Sequence, residues 1–315
     1  ISSFRNIQRF NGSVDMRNRR VLRYSVLSAR SDGKNGLILR ASAKVNLGLE
    51  ILGKREDGYH EIVTVLQAVD LSDRLILEEA EQITLTVSDP SLPANKENLA
   101  WRAARLLSDA AGVDQGVRIT LDKHIPVAAG LGGGSSDAAA VLCGVNRLWR
   151  LDWPAARLQE LAAEIGMDVP FFLGNGLALG TGRGERLQPL PSKGEMALVL
   201  VNPNFPLSTR DVYGRVRAEI MGDGKKVTAL LAALATGDVA RVAQAIYNTL
   251  EAAVEPAYPL IAEVKRALRG AGALGCVMSG SGPTVAGLAQ SLSHARRIAD
   301  ALSSTSWSCR AVRTI

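Results

Sequence analysis

A chain of 315 residues is longer than a single core usually grows, so about two domains are expected. Its apolar fraction of 47% and charged fraction of 22% are those of a globular protein, and no apolar run approaches the roughly 18 residues that cross a bilayer, which excludes a transmembrane helix. Lys and Arg total 37 against 31 Asp and Glu, yet residues 1–36 hold eight of the basic and two of the acidic residues; the rest is formally neutral, which argues against a nucleic-acid-binding body.

The first 36 residues carry Arg5, Arg9, Arg17, Arg19, Arg20, Arg23, Arg30 and Lys34, six Ser and no Glu. With no sustained helical or strand period, they read as a basic tail of transit-peptide composition, the alternative being a disordered arm for an anionic partner. After it, Leu37–Ala41 and Val45–Leu52 are predicted strands, with a turn at Gly53–Gly58. Further strands are expected at Ile62–Val69, Leu75–Glu78 and Ile83–Val87. Asn98–Ala111 has helical spacing, with Gly112 where a helix C-terminus wants it. Val117–Leu121 is a strand that feeds a glycine-rich loop, followed by an apolar helix over Ala138–Trp149. Beyond Pro191 the pattern restarts with a strand at Ala197–Val201, helices near 227–236 and 238–253, and an apolar segment at Val277. Strands and helices in blocks predict an α+β protein of two lobes, residues 37–190 and 191–315. Cys143, Cys276 and Cys309 are scattered, as are His60, His124 and His294, so neither a disulfide framework nor a zinc cluster is indicated.

The loop Gly130-Leu131-Gly132-Gly133-Gly134-Ser135-Ser136 stands immediately before a helix. Absent side chains let backbone N–H groups and the helix N-terminus converge on phosphate oxygens, and the serine hydroxyls suit a phosphate or a magnesium ion. The loop lacks the Gly-Lys-Ser/Thr of a Walker A motif, and no acidic residue follows at Rossmann spacing. Lys44 and Asp168 each lie beside apolar residues. Singly, they are an ordinary surface lysine and a turn aspartate. Together they provide a carboxylate to accept an alcohol proton and an ammonium to offset charge, the parts of a phosphoryl-transfer site.

The segment from Pro126 to Ser136 resembles the signature of the GHMP kinases, the superfamily of galactokinase, homoserine kinase and mevalonate kinase. Ala43-Lys-Val-Asn-Leu, Arg55-Glu-Asp-Gly-Tyr-His60, Glu97-Asn-Leu99, Gly166-Met-Asp-Val-Pro-Phe and Ser279-Gly-Ser-Gly are most similar to its branch that acts on 4-diphosphocytidyl-2-C-methyl-D-erythritol in the non-mevalonate isoprenoid route. The resemblance implies an N-terminal lobe like the second domain of ribosomal protein S5, a ferredoxin-like C-terminal lobe, and a site in the cleft between them. It implies ATP and magnesium as cofactors, phosphorylation of the substrate's 2-hydroxyl, Asp168 as base and Lys44 beside it. Pro126, the 130–136 loop, Asn98, Leu99 and Lys123 would then bind ATP, and Ser136 the metal. Asn46, Tyr59, His60 and Tyr213 would bind substrate, with cytosine stacked on Tyr59. The bland alternatives are a turn for Tyr59 and His60, and a helix cap, a core leucine and a surface lysine for Asn98, Leu99 and Lys123. Asp137 replaces the Asn common after the loop serines, and Met167 a smaller residue. Two rival functions keep the fold: a homoserine- or mevalonate-type kinase, and a catalytically silent nucleotide-binding relative. A plastid stroma is the location that the tail and this branch together imply.

Overall fold

The computed structural model describes residues 27–31 and 36–315, with side chains from Gly36 onward. A long antiparallel pair dominates the N-terminal half. Strand β1 (Leu27–Ser31) pairs with β2 (Leu37–Lys54), which pairs along its length with β3 (His60–Ala80). Strand β4 (Thr84–Val87), helix α1 (Leu99–Ala111), strand β5 (Gly116–Asp122) and helix α2 (Gly133–Leu148) follow. After α3 (Ala155–Ile165) and a 3-10 turn at Pro170–Leu173 come β6 (Leu177–Gly182) and β7 (Arg186–Pro189). The sheet runs β1-β2-β3-β5-β4, with β6 also on β3 and β7 on β6.

Ala41 to Ile51 of β2 are buried without a break because both faces of the strand are covered. Leu39, Leu66, Leu75 and Leu77 pack with α1 and α2 on one side. Val45, Leu47, Val63 and Val65 meet Leu198, Leu200 and Leu230 of the C-terminal half on the other. A strand covered on both faces loses polar alternation, so Ser42, Lys44 and Asn46 look like interruptions although they are interior residues of one 18-residue strand. The two strands expected at 37–52 are therefore one, as are those expected between 62 and 78.

The C-terminal half opens with β8 (Ala197–Asn202), α4 (Thr209–Gly214), α5 (Lys225–Thr236), α6 (Val239–Ala245), β9 (Tyr247–Asn248) and α7 (Glu251–Val254). It continues through α8 (Pro259–Gly270), β10 (Gly275–Met278), β11 (Val285–Ala289), α9 (Leu292–Ala301) and β12 (Ser308–Arg313). Its antiparallel sheet has the order β10-β11-β8-β12, with α8 leading into the β10-β11 hairpin and α9 joining β11 to β12. This is the ferredoxin-like arrangement. The first sheet ends at Pro189 and the second begins at Ala197, and β9 crosses back to pair with β2 at Gly48 and Leu49.

Three expectations change. Leu27–Ser31 is a strand, so the folded body reaches into the segment assigned to the basic tail; the rest of that segment, apart from Gly36, lies outside the described residues. The helix expected at 238–253 is broken at Ile246, where the backbone turns extended and donates Tyr247 and Asn248 to the first sheet. Helix α2 begins at Gly133 rather than Ala138, so the loop's last glycines and both serines form its first turn.

Candidate active site

A cavity of about 1420 Å³ lies between the lobes. Lys44, Asn46, Tyr59, His60, Asn98, Leu99, Lys123, Pro126, Asp168 and Tyr213 all reach it, together with Gly130, Gly132, Gly133, Gly134 and Ser135. Segments up to about 170 residues apart in the chain thus meet in one space.

The loop is shaped by close approach. Gly130 has φ +75°, and a Cβ there would stand 2.1 Å from the Ser279 carbonyl oxygen. Gly132, at φ +71°, packs against Phe172 and the Lys44 stem, and it caps α2 without a side-chain hydrogen bond. The N–H groups of Gly133, Gly134 and Ser135 precede the helix's first internal hydrogen bond, Ser136 N to Gly132 O, and so can turn to an anion. A second Gly-Ser loop at 279–282 backs the first: Ser279 Oγ accepts from Asn46 N (3.2 Å) and donates to Gly130 O (2.9 Å). Asn248, delivered by β9, donates to Met278 O at 2.8 Å and Gly280 O at 2.7 Å, fixing that second loop.

Lys44 is 4% exposed. Its ammonium donates to Asn46 Oδ1 at 2.6 Å and to Gly130 O at 2.9 Å, and lies 3.7 Å from Asp168 Oδ2. Asn46 is fixed in turn by donating to Thr64 Oγ1 (2.8 Å), which donates to Gly48 O. Two of the ammonium's three donors are thus held by fixed neutral acceptors, and the third is left for Asp168 and for whatever approaches it. Burial lowers the Lys44 pKa, while the charge of and hydrogen bond to Asp168 oppose the shift. Asp168 sits between α3 and the 3-10 turn at Pro170–Leu173, with its side chain 38% exposed and open to the cavity.

At the other end, the turn after β2 presents Tyr59 and His60. Arg55 N donates to Tyr59 O, Gly58 takes φ +83°, and the Arg55 guanidinium grips Asp57 and Glu61. Tyr59 is 54% exposed, and its ring lines the cavity. His60 lies 5.5 Å from the Tyr213 ring at 36°. Burial and the charge of Lys54 hold the His60 imidazole below its ordinary pKa, so it is neutral at pH 7 and able to read a base edge. Burial and Asp168 push the Tyr213 hydroxyl above the usual tyrosine range.

Some expected contacts fall differently. The Leu131 side chain is buried in the core, only 1% exposed, and its contribution at the site is a carbonyl accepting from Lys44 N. The Ser136 hydroxyl is buried beneath the loop and has no hydrogen-bond partner among the described residues. Asn98 caps α1 by accepting from Ala100 N, and it also borders the cavity. Lys123 is a buried ion rather than a surface lysine, donating to Asp73 (2.5 Å) and Asp137 (2.8 Å) behind Gly133. Burial raises the Asp137 carboxyl to about 8, against the charge of Lys123. Thr64, Asp73, Asn248 and Ser279 were given no role by the sequence reading. Ser279 was visible in a motif, whereas the other three carry no local signal. No group of three His, Cys, Asp or Glu poised to hold a metal occurs among the described residues.

Residues 98–176 match the GHMP kinases N terminal domain and residues 230–308 the GHMP kinases C terminal. A 4-diphosphocytidyl-2-C-methyl-D-erythritol kinase of Gloeobacter violaceus is 48% identical over 82% of this chain and 88% of its own length. One from Pelotomaculum thermopropionicum is also 48% identical, over 82% of this chain and 91% of its own. The chain belongs to this family of GHMP kinases. The crystal structure of a 4-(cytidine 5'-diphospho)-2C-methyl-D-erythritol kinase, 42% identical, superposes with a TM-score of 0.78 over 88% of this chain and 98% of that one. Homoserine kinase from Cytophaga hutchinsonii, 21% identical with a TM-score of 0.71 over 91% and 96% of the two chains, shares the fold alone. A likeness at that identity gives no support to the rival that keeps the fold and takes homoserine. Among the described residues no helix is long and apolar enough to cross a membrane.

Proposed function

We propose that the chain transfers the γ-phosphoryl group of ATP to the 2-hydroxyl of 4-diphosphocytidyl-2-C-methyl-D-erythritol, with Asp168 as general base. The observation that carries this is the Lys44–Asp168 pair, 3.7 Å apart, set beside Gly130 of the phosphate loop in a cavity that also holds Tyr59, His60 and Tyr213. The loop amides and the N-terminus of α2 cradle the nucleotide's phosphates, and Leu99, Asn98 and Pro126 line the nucleotide end. Lys44, immobilised by Asn46 and the Gly130 carbonyl, directs its ammonium at the transferring group and stands beside Asp168. Asp168 takes the alcohol proton as the oxygen attacks in line, and no covalent enzyme intermediate is required.

Magnesium, when bound, neutralises charge on the phosphate oxygens. The orphaned, buried Ser136 hydroxyl in the first turn of α2 fits a role as its protein ligand, with Ser135 at the cavity wall beside it. Tyr59 offers the stacking face for cytosine and neutral His60 a hydrogen-bonding edge. The basic composition of residues 1–26 supports delivery to a plastid stroma, testable by import of a fluorescent fusion into isolated chloroplasts.

The deciding experiment is ADP release with magnesium-ATP and, separately, diphosphocytidyl methylerythritol, homoserine and mevalonate. Turnover restricted to the cytidyl acceptor is expected. Turnover with homoserine or mevalonate instead would overturn the substrate assignment and leave the phosphate loop standing. Silence with all three would favour a nucleotide-binding protein without activity.

A further inference from the structure

Arg183 occupies the tip of the turn between β6 and β7, flanked by Gly182 at φ +74° and Gly184 at φ +107°. The Glu185 carboxylate accepts from the Arg183 backbone amide at 2.6 Å, so the turn is closed without using the guanidinium. That guanidinium lies over the Tyr59 ring, 5.0 Å from its centre, on the wall of the cavity. Among the described residues no carboxylate stands within ion-pair distance of it. Asp57 feels its charge but is bonded to Arg55. Lys54 and Arg210 also line the cavity, and Asp57, the carboxylate that lines it next to Tyr59, is paired with Arg55 rather than with Arg183.

A guanidinium resting on an aromatic face still has its five N–H donors in its own plane, pointing outward past the ring edge. Such a fork, free of a carboxylate, is complementary to paired phosphate oxygens. A base stacked on the opposite face of Tyr59 would hang its ribose and phosphates over that same edge. The guanidinium would then hold one face of the tyrosine and the base the other.

We propose that Arg183 binds the diphosphate of the cytidyl substrate and thereby selects a nucleoside diphosphate conjugate over the bare nucleoside; this rests on the substrate assigned above. The test uses the full chain, the variants Arg183→Met and Arg183→Lys, and cytidine, CMP and CDP as competitors of the cytidyl substrate. In Arg183→Met, CDP should weaken by about tenfold or more, the scale of a lost hydrogen bond to a charged group, while cytidine changes by less than about twofold. The KM for the cytidyl substrate should rise with CDP's inhibition constant while the KM for ATP stays put, and Arg183→Lys should restore part of the loss. Equal weakening of cytidine and CDP would make Arg183 a prop for Tyr59 and overturn the proposal, as would unchanged binding of both. Wild-type protein indifferent to cytidine and CDP alike would remove the substrate reading, and this proposal with it.

Discussion

The two ends of the cavity are made of different material. The phosphate end is backbone: glycines pressed against a second loop, with Gly130 so close to Ser279 that no side chain fits. The nucleoside end is side chain: Tyr59, His60, Arg183 and Tyr213, carried on three separate segments and partly open to solvent. A site made of backbone tolerates almost no added atom, whereas one made of side chains can be altered one contact at a time.

Substitutions can break or sharpen that contrast. The largest effect is expected where the ends meet. Asp168→Asn should cut turnover by about two to four powers of ten while the melting temperature holds, since the carboxylate is half-exposed; near-normal turnover would remove Asp168 as base. At the phosphate end, Gly130→Ala combines a left-handed backbone with a clash against the Ser279 carbonyl, costing about 3 kcal/mol by the usual ranges for strain and overpacking. A thermal melt should fall by several degrees and the KM for ATP should rise; a stable variant with normal ATP binding would mean that the two loops are not locked together. At the nucleoside end, Tyr59→Ala should raise the KM for the cytidyl substrate about tenfold to a hundredfold, the scale of one lost stacking contact, and leave both stability and the KM for ATP unmoved. A matching loss in ATP affinity would erase the distinction between the ends.

The smallest effect is a titration. The His60 pKa is depressed, so the neutral ring is present above that pKa and is lost as pH falls through it, below the ordinary histidine value of about 6.5. The KM for the cytidyl substrate should therefore stay level from about pH 8 down to about 6.5 and climb at lower pH. His60→Gln should flatten that climb. An acid limb that persists in His60→Gln would belong to another group.

The same contrast explains what could be read from the amino-acid order. Backbone sites announce themselves: four glycines before an apolar helix leave few other meanings, and Gly112 and Asn98 mark α1 at both ends as their conformations require. The interior strands were cut short because Ser42, Lys44 and Asn46 are polar for the sake of the site while lying in a fully buried strand. Leu27–Ser31 escaped notice because its alternation is weak and its strand character comes from pairing with β2. Asp73 and Asp137 stand 64 residues apart and find a common partner only when β3, β5 and α2 are assembled around Lys123. Asn248 had no signal at all, since an extended dipeptide inside a helical pattern is imposed by the sheet it joins.

That dipeptide has a thermodynamic consequence. Tyr247 and Asn248 belong to the first sheet by pairing, Asn248 also holds the second loop by hydrogen bonding, and the apolar cluster around Val45 and Leu47 draws on both lobes. Neither lobe can open without exposing the other's interior and releasing the phosphate loop, so the two lobes form one cooperative unit. Thermal and chemical unfolding should take both in a single transition, and bound nucleotide should shift that transition as a whole.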